Sequence, residues 1–142
     1  MLATHDPGQI IITVGPVPIV DYADGTFVKV TRSEDTFKVV VGADGEATRV
    51  RSRNQAGTFE ITLKRSSPSN DGLSALALSD EASGIGVVPT FVKDLNGTTV
   101  HVAAKSWVRK MAESELGKDL SNTVWTIETG NLTMFVGGLL LT

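Results

Sequence analysis

Thr58-Phe59-Glu60-Ile61-Thr62-Leu63-Lys64-Arg65 alternates strictly, with apolar side chains at 59, 61 and 63 and polar ones at 58, 60, 62 and 64. Successive residues of a strand point to opposite faces, so this stretch predicts a strand with one face buried and the other wet. It runs into Ser66-Ser67-Pro68-Ser69-Asn70 and then a single short helical pattern. An amphipathic sheet with one helix, and no reactive cluster beside it, describes a protein that builds a surface.

The rest of the chain reads as strands punctuated by turns. Residues 9–14 form an apolar strand closed by Gly15-Pro16-Val17-Pro18. Asp24-Gly25, Asp44-Gly45 and Asn96-Gly97 are hairpin dipeptides, favoured because tight hairpin turns need positive φ at their centre. They are expected to join 19–23 to 26–32, 36–41 to 46–53, and 90–94 to 98–105. Further strands are expected at 106–110, 123–128 and 132–136, and β-branched residues are frequent in most of these stretches. No fixed-period repeat or linker divides residues 1–142, so the expectation is a single all-β domain.

One helix is expected over about 68–82. Ser67 is placed to cap it, with Pro68 at the first helical position, where a missing N–H costs nothing. Leu73, Leu76 and Ala77 follow the i, i+3, i+4 spacing of a narrow apolar stripe that Asp80 interrupts, and Gly84 and Gly86 end it. Its expected role is to cover one open end or face of the sheet pair.

Composition excludes many functions. The 142 residues are 41% hydrophobic and 20% charged, enough to bury a core and too apolar for wholesale disorder. With no cysteine there is no disulfide, thiolate metal site or cysteine nucleophile. A net charge of −3 gives no global pull toward nucleic acid. The N-terminus lacks the basic and apolar regions of a signal peptide, and the apolar run from Met134 to Leu141, broken by two glycines, is far short of the ~20 residues of a membrane helix.

Catalytic motifs are missing as well. His5 lies near the terminus, and His101 alternates with Val100 and Val102, as a packing or surface residue does. Ser83-Gly84-Ile85-Gly86 follows a helix instead of a strand, so it lacks the setting of a dinucleotide site. Glu113, Glu115 and Asp119 sit in one polar stretch, without the paired strands and aromatic platforms of a glycosidase. Trp107 and Trp125 keep a sugar-binding module open as a rival reading. No catalytic residue, metal site or cofactor is expected.

Charge points instead to assembly. Arg49, Arg51 and Arg53 stand at i, i+2 and i+4, so an extended strand projects all three from one face. From Glu46 to Arg65 there are five basic and two acidic residues; from Met111 to Gly130, Glu113, Glu115, Asp119 and Glu128 oppose Lys118 alone. The functional reading is a basic strand docking on an acidic segment of a neighbour, the alternative an edge strand using charge to resist aggregation. Residues 46–53 carry no core stripe, which makes 36–53 an extended hairpin arm, whereas Leu139, Leu140 and their neighbours form an apolar tail in need of cover. The tail's alternative is a last strand in its own core.

Ala23-Asp24-Gly25-Thr26-Phe27, Val41-Gly42-Ala43-Asp44-Gly45-Glu46, Ser67-Pro68-Ser69-Asn70, Leu73-Ser74-Ala75-Leu76, Lys93-Asp94-Leu95-Asn96-Gly97-Thr98-Thr99 and Met134-Phe135-Val136-Gly137-Gly138 follow one another in a characteristic order. In that order, from about Tyr22 to Gly138, the chain resembles the small tail tube proteins of contractile-tailed bacteriophages. The resemblance implies a mainly β fold of two packed antiparallel sheets with one short flanking helix, and hexameric rings whose strands close a continuous inner β-barrel, stacked into a virion tube assembled in the host cytoplasm. It further implies a sheath protein, a tape-measure protein and a baseplate as partners, with DNA passing through the lumen without specific binding. A conduit must not hold DNA, and arginines meeting phosphates would. Arg49, Arg51 and Arg53 are therefore expected at protein interfaces, with Glu113, Glu115, Leu139 and Leu140, and Thr58, Glu60 and Thr62 in the lumen. Lys64 continues that lumen face. The rival classes are another tail or baseplate part of the same fold and a monomeric β-sandwich binding sugar or peptide.

Overall fold

The computed structural model describes residues 2–141. After a 3-10 turn at Pro7–Gln9, the chain forms β1 (Ile10–Val14), β2 (Val17–Pro18), β3 (Val28–Arg32), β4 (Phe37–Val41), β5 (Ala47–Arg51), β6 (Gly57–Lys64), α1 (Ser69–Ser83), β7 (Val88–Asp94), β8 (Val100–Val108), β9 (Asn122–Thr129) and β10 (Thr133–Phe135). The alternation of β6 holds throughout: Gly57, Phe59, Ile61 and Leu63 are buried, while Thr58, Glu60, Thr62 and Lys64 point away from the core.

The fold is mainly β, and its two packed halves belong to one hydrogen-bonded sheet. Its order is β2-β1-β7-β8-β9-β6-β3, with β10 also on β8. β9 follows β6 along its whole length, from Asn122 opposite Lys64 to Thr129 opposite Gly57. Only residues 127–129 also reach β8. After a break at 130–132, β10 resumes on the same edge of β8, with Thr133 opposite Val102 and Phe135 opposite Val100. This bent path carries the sheet from its β3-β6-β9 half to its β1-β7-β8 half. The break faces a bulge, where the β7–β8 register shifts between Val88 and Thr90 and bends the pair. Buried hydroxyls satisfy that spot: Thr90 Oγ1 lies 2.6 Å from Ser106 Oγ, which donates to the Val88 carbonyl.

Both halves share one core. Ile12, Val14, Val92 and Val108 meet Phe59, Ile61, Leu63, Trp125 and Ile127, and Leu73 and Ala77 of α1 join them. Leu132, fully buried, plugs the corner at the strand break. Gly57 has to be glycine there, because a Cβ would strike Leu132 Cδ2 and come within 2.8 Å of the Thr31 carbonyl.

Helix α1 closes one end. Ser69 Oγ donates to the Pro18 carbonyl (2.8 Å) and Ser67 Oγ to that of Val20 (2.6 Å). Asn70 donates to the Lys64 carbonyl and accepts from Trp125 Nε1 at 2.9 Å, tying the helix start to β6 and β9. Gly84, at φ 69°, ends the helix with its N–H on Asp80 O, as a left-handed cap does.

Several local expectations are corrected. Pro68, and not Ser67, occupies the cap position, although Ser67 Oγ still accepts the Ser69 N–H. Residues 19–23 form no strand, and Asp24-Gly25 turns no hairpin. Ala23 N–H donates to Thr62 O, and Thr62 N–H donates to Phe27 O, so the turn is a loop bulging from one chain path along the β6 edge. Tyr22 stacks on Phe27, with ring centroids 4.4 Å apart, and closes that loop. The strands expected at 98–105 and 106–110 are the single strand β8, its bulge mistaken for a break. At the arm tip only Gly45 has positive φ, and the Gly45 N–H bonds Gly42 O while Gly42 N–H bonds Glu46 O. That is a type I turn with a glycine bulge, not a two-residue primed turn.

Candidate subunit interface

Strands β4 and β5 form a separate two-stranded sheet in which every residue is exposed. Register sorts its side chains: Phe37 lies opposite Arg51, Val39 opposite Arg49 and Val41 opposite Ala47 on one face, with Lys38 opposite Val50 and Val40 opposite Thr48 on the other. The Arg49 guanidinium lies 4.2 Å from the centre of the Phe37 ring, a cation–π contact that holds the charge over the apolar surface. Arg53 lies beyond the end of β5 and is exposed. The arm thus brings Arg49 and Arg51 together on one face with apolar neighbours. At its base, Ser52 Oγ donates to Glu34 Oε2 at 2.9 Å.

Glu113 and Glu115 are exposed on the irregular stretch between β8 and β9. They border a cleft of about 300 Å³ floored by Met111, Ala112 and Val124. Leu139 and Leu140 are 40% and 56% exposed, so the tail does not bury them in the core. Their backbone is nonetheless anchored, with Leu140 N–H on Asn96 O and Gly97 bridged to Leu139.

Thr58, Glu60 and Thr62 lie on the outer face of the β3-β6-β9 half. Glu60 sits between Lys29 and Thr126, and Thr58 between Thr31 and Glu128. Glu128 pairs with Arg109 at 2.8 Å. The resulting surface is a polar field of threonines with charges of both signs.

Of the two candidate sugar platforms, Trp107 is half-buried on β8. Trp125, a candidate sugar platform, is 2% exposed and bonded to Asn70, so it belongs to the core. Among the described residues no group of three or more His, Asp or Glu side chains converges to hold a metal, and no helix is long and apolar enough to cross a membrane.

Sequence reasoning missed an opening at the end of the sandwich away from α1. A cavity of about 220 Å³ lies there, lined by Ile10, Val28, Val30, Val92, Met134 and His101 among others. His101 is 7% exposed, and its Nδ1 is buried without a hydrogen-bond partner. The only sequence signal was its place between two valines. Burial lowers its pKa below the ordinary 6.5, because the charged form is penalised in the fold. As pH falls through 6.5 the unfolded chain takes up the proton first, so stability drops below that pH and levels off once native His101 protonates. Urea titrations above and below pH 6.5 are expected to show this drop, and His101→Leu to remove the histidine's share of it. An unchanged pH slope in the variant would refute the assignment.

Comparisons with known proteins agree on one architecture. The family model of the bacteriophage PhiTE tail tube protein matches residues 19–137. Structural protein ORF10 of Pseudomonas phage KPP10 is 26% identical over 144 residues, covering 96% of this chain and 83% of that protein. Among solved structures, the fold resembles the sheath/tube terminator of the extracellular contractile injection system PVC in its extended state, with TM-score 0.65 and 11% identity over 95% of this chain and 99% of that one. It also resembles the tube-terminating cap of the anti-feeding prophage AFP, with TM-score 0.63 and 8% identity over 95% and 93%.

Proposed function

The chain belongs to the bacteriophage PhiTE tail tube protein family, and from that premise we propose that its copies close into hexameric rings that stack as the inner tube of a contractile tail. The observation that carries this reading is the arm, a two-stranded sheet with exposed apolar residues on both faces. An isolated hairpin is marginal in water, so this one needs cover from another chain. Its Arg49 and Arg51 face, with Arg53 beyond it, meets the Glu113 and Glu115 segment of a neighbouring copy, while Leu139 and Leu140 are buried between copies. Strand pairing across copies then removes the open sheet edges.

Thr58, Glu60 and Thr62 line the lumen in this reading. Their mixed polar surface offers phosphates little net attraction, which suits a conduit that must release DNA during ejection. The work is mechanical, with no catalytic group or cofactor. Sheath, tape-measure protein and baseplate are the partners in a virion tail assembled in the host cytoplasm. A tube reconstruction with Arg49, Arg51 and Arg53 in the lumen and Glu60 at an interface would overturn the lumen assignment.

A second reading, a terminator ring at the end of the tube, draws support from the likeness to the two terminating proteins. Negative-stain electron microscopy at rising concentration separates the readings. Tubes that lengthen with concentration support the tube protein, and single rings that never stack favour the terminator. A monodisperse monomer throughout would refute self-assembly.

A further inference from the structure

We propose that the open end of the sandwich is a socket for the second face of the arm of another copy, with Lys38 of that arm set against Asp94. The inference rests on the self-assembly reading and names a contact within it.

The socket's apolar character follows from the topology. β1 runs from Ile10, at the cavity, toward the helix-covered end, where Gly72 of α1 packs on Val17. No second α-helix covers the Ile10 end among the described residues. Val28 and Val30 from one half of the sheet therefore face Ile10 and Val92 from the other across an open cavity. His101 also lines the cavity, its own Nδ1 closed off from solvent.

The arm has a matching face. If its arginine face meets one neighbour, the opposite face still exposes Val40 at 50% and Val50 at 39%. Thr48 stands directly across from Val40 on that face. Lys38 completes the face opposite Val50, and Asp94, whose carboxylate accepts from the Asn96 backbone and side chain, lines the cavity. Small apolar side chains and one cation thus meet an apolar cavity and one anion. Val136 beside the socket is 75% exposed and extends its apolar rim.

Because the natural chain has no cysteine, site-directed cross-linking tests the contact directly. The full-length double variant Val40→Cys, Val136→Cys is oxidised at assembling concentration and run on a non-reducing gel, with microscopy of the same sample. The expected result is a ladder of covalent oligomers that does not form when the protein is diluted before oxidation, while a Val39→Cys, Val136→Cys control from the opposite arm face stays mostly monomeric. Rings or tubes without a ladder, or with equal ladders from both variants, would overturn the socket and leave self-assembly standing. The absence of both rings and ladder would overturn the two together.

Discussion

Excising residues 35–53 and rejoining the chain through a short Asn-Gly turn is expected to abolish rings and tubes while leaving the body folded. Ser33 and Ala56 already face each other at the arm's base, joined by the Ser33 N–H and hydroxyl to the Ala56 carbonyl, so a turn can close there without strain. The arm contributes no buried residue, and its removal takes nothing from the core. Its exposed Phe37, Val39, Val40, Val41 and Val50 are a different matter once copies meet. Full burial stabilises by roughly 1.5–3 kcal/mol per large apolar side chain. Even half of that over five residues is about 5 kcal/mol, or a factor above a thousand in association. Sedimentation velocity should show a monomer at every concentration, with a melting temperature within a few degrees of the parent. An arm-less chain that still forms tubes would remove the arm from assembly.

Trp125→Ala is expected to be the most damaging single core substitution, at about 3–5 kcal/mol. Trp125 is among the largest fully buried side chains, and its Nε1 is bonded to Asn70 Oδ1. Truncation leaves a cavity between β9 and α1 and an unpaired acceptor, which adds to the loss. Domains of this size have only about 5–15 kcal/mol in total, so the variant should unfold at much lower urea and lose the helix cover early. Trp125→Phe keeps most of the volume, loses only the hydrogen bond, and should cost about 1–2 kcal/mol. Equal midpoints for Trp125→Ala and the parent would show that the site is not core.

The elements legible in the sequence were those whose signal is local. Residues 58–64 declared a strand and its faces because alternation has period two and no other regular structure shares it. The helix showed through Pro68 at its start and Gly84 at its end. The arm showed because Arg49, Arg51 and Arg53 leave no apolar stripe for a core. Trp125 carried no such signal, since an apolar ring alternating on a strand reads alike in a core or on a binding platform.

What the sequence by itself determined is therefore the β class, the faces of β6, the helix and the arm. Tertiary structure alone decided that Asp24-Gly25 is a bulged loop, because the same turn preference serves a reversal or a detour until the β6 edge offers Thr62 to Ala23 and Phe27. It alone decided that β9 and β10 form one bent path joining both halves of the sheet, since register depends on partners far away in the chain. It alone left His101 unpartnered at an open end, because burial belongs to the packing of five separate strands and not to any residue's neighbours in sequence.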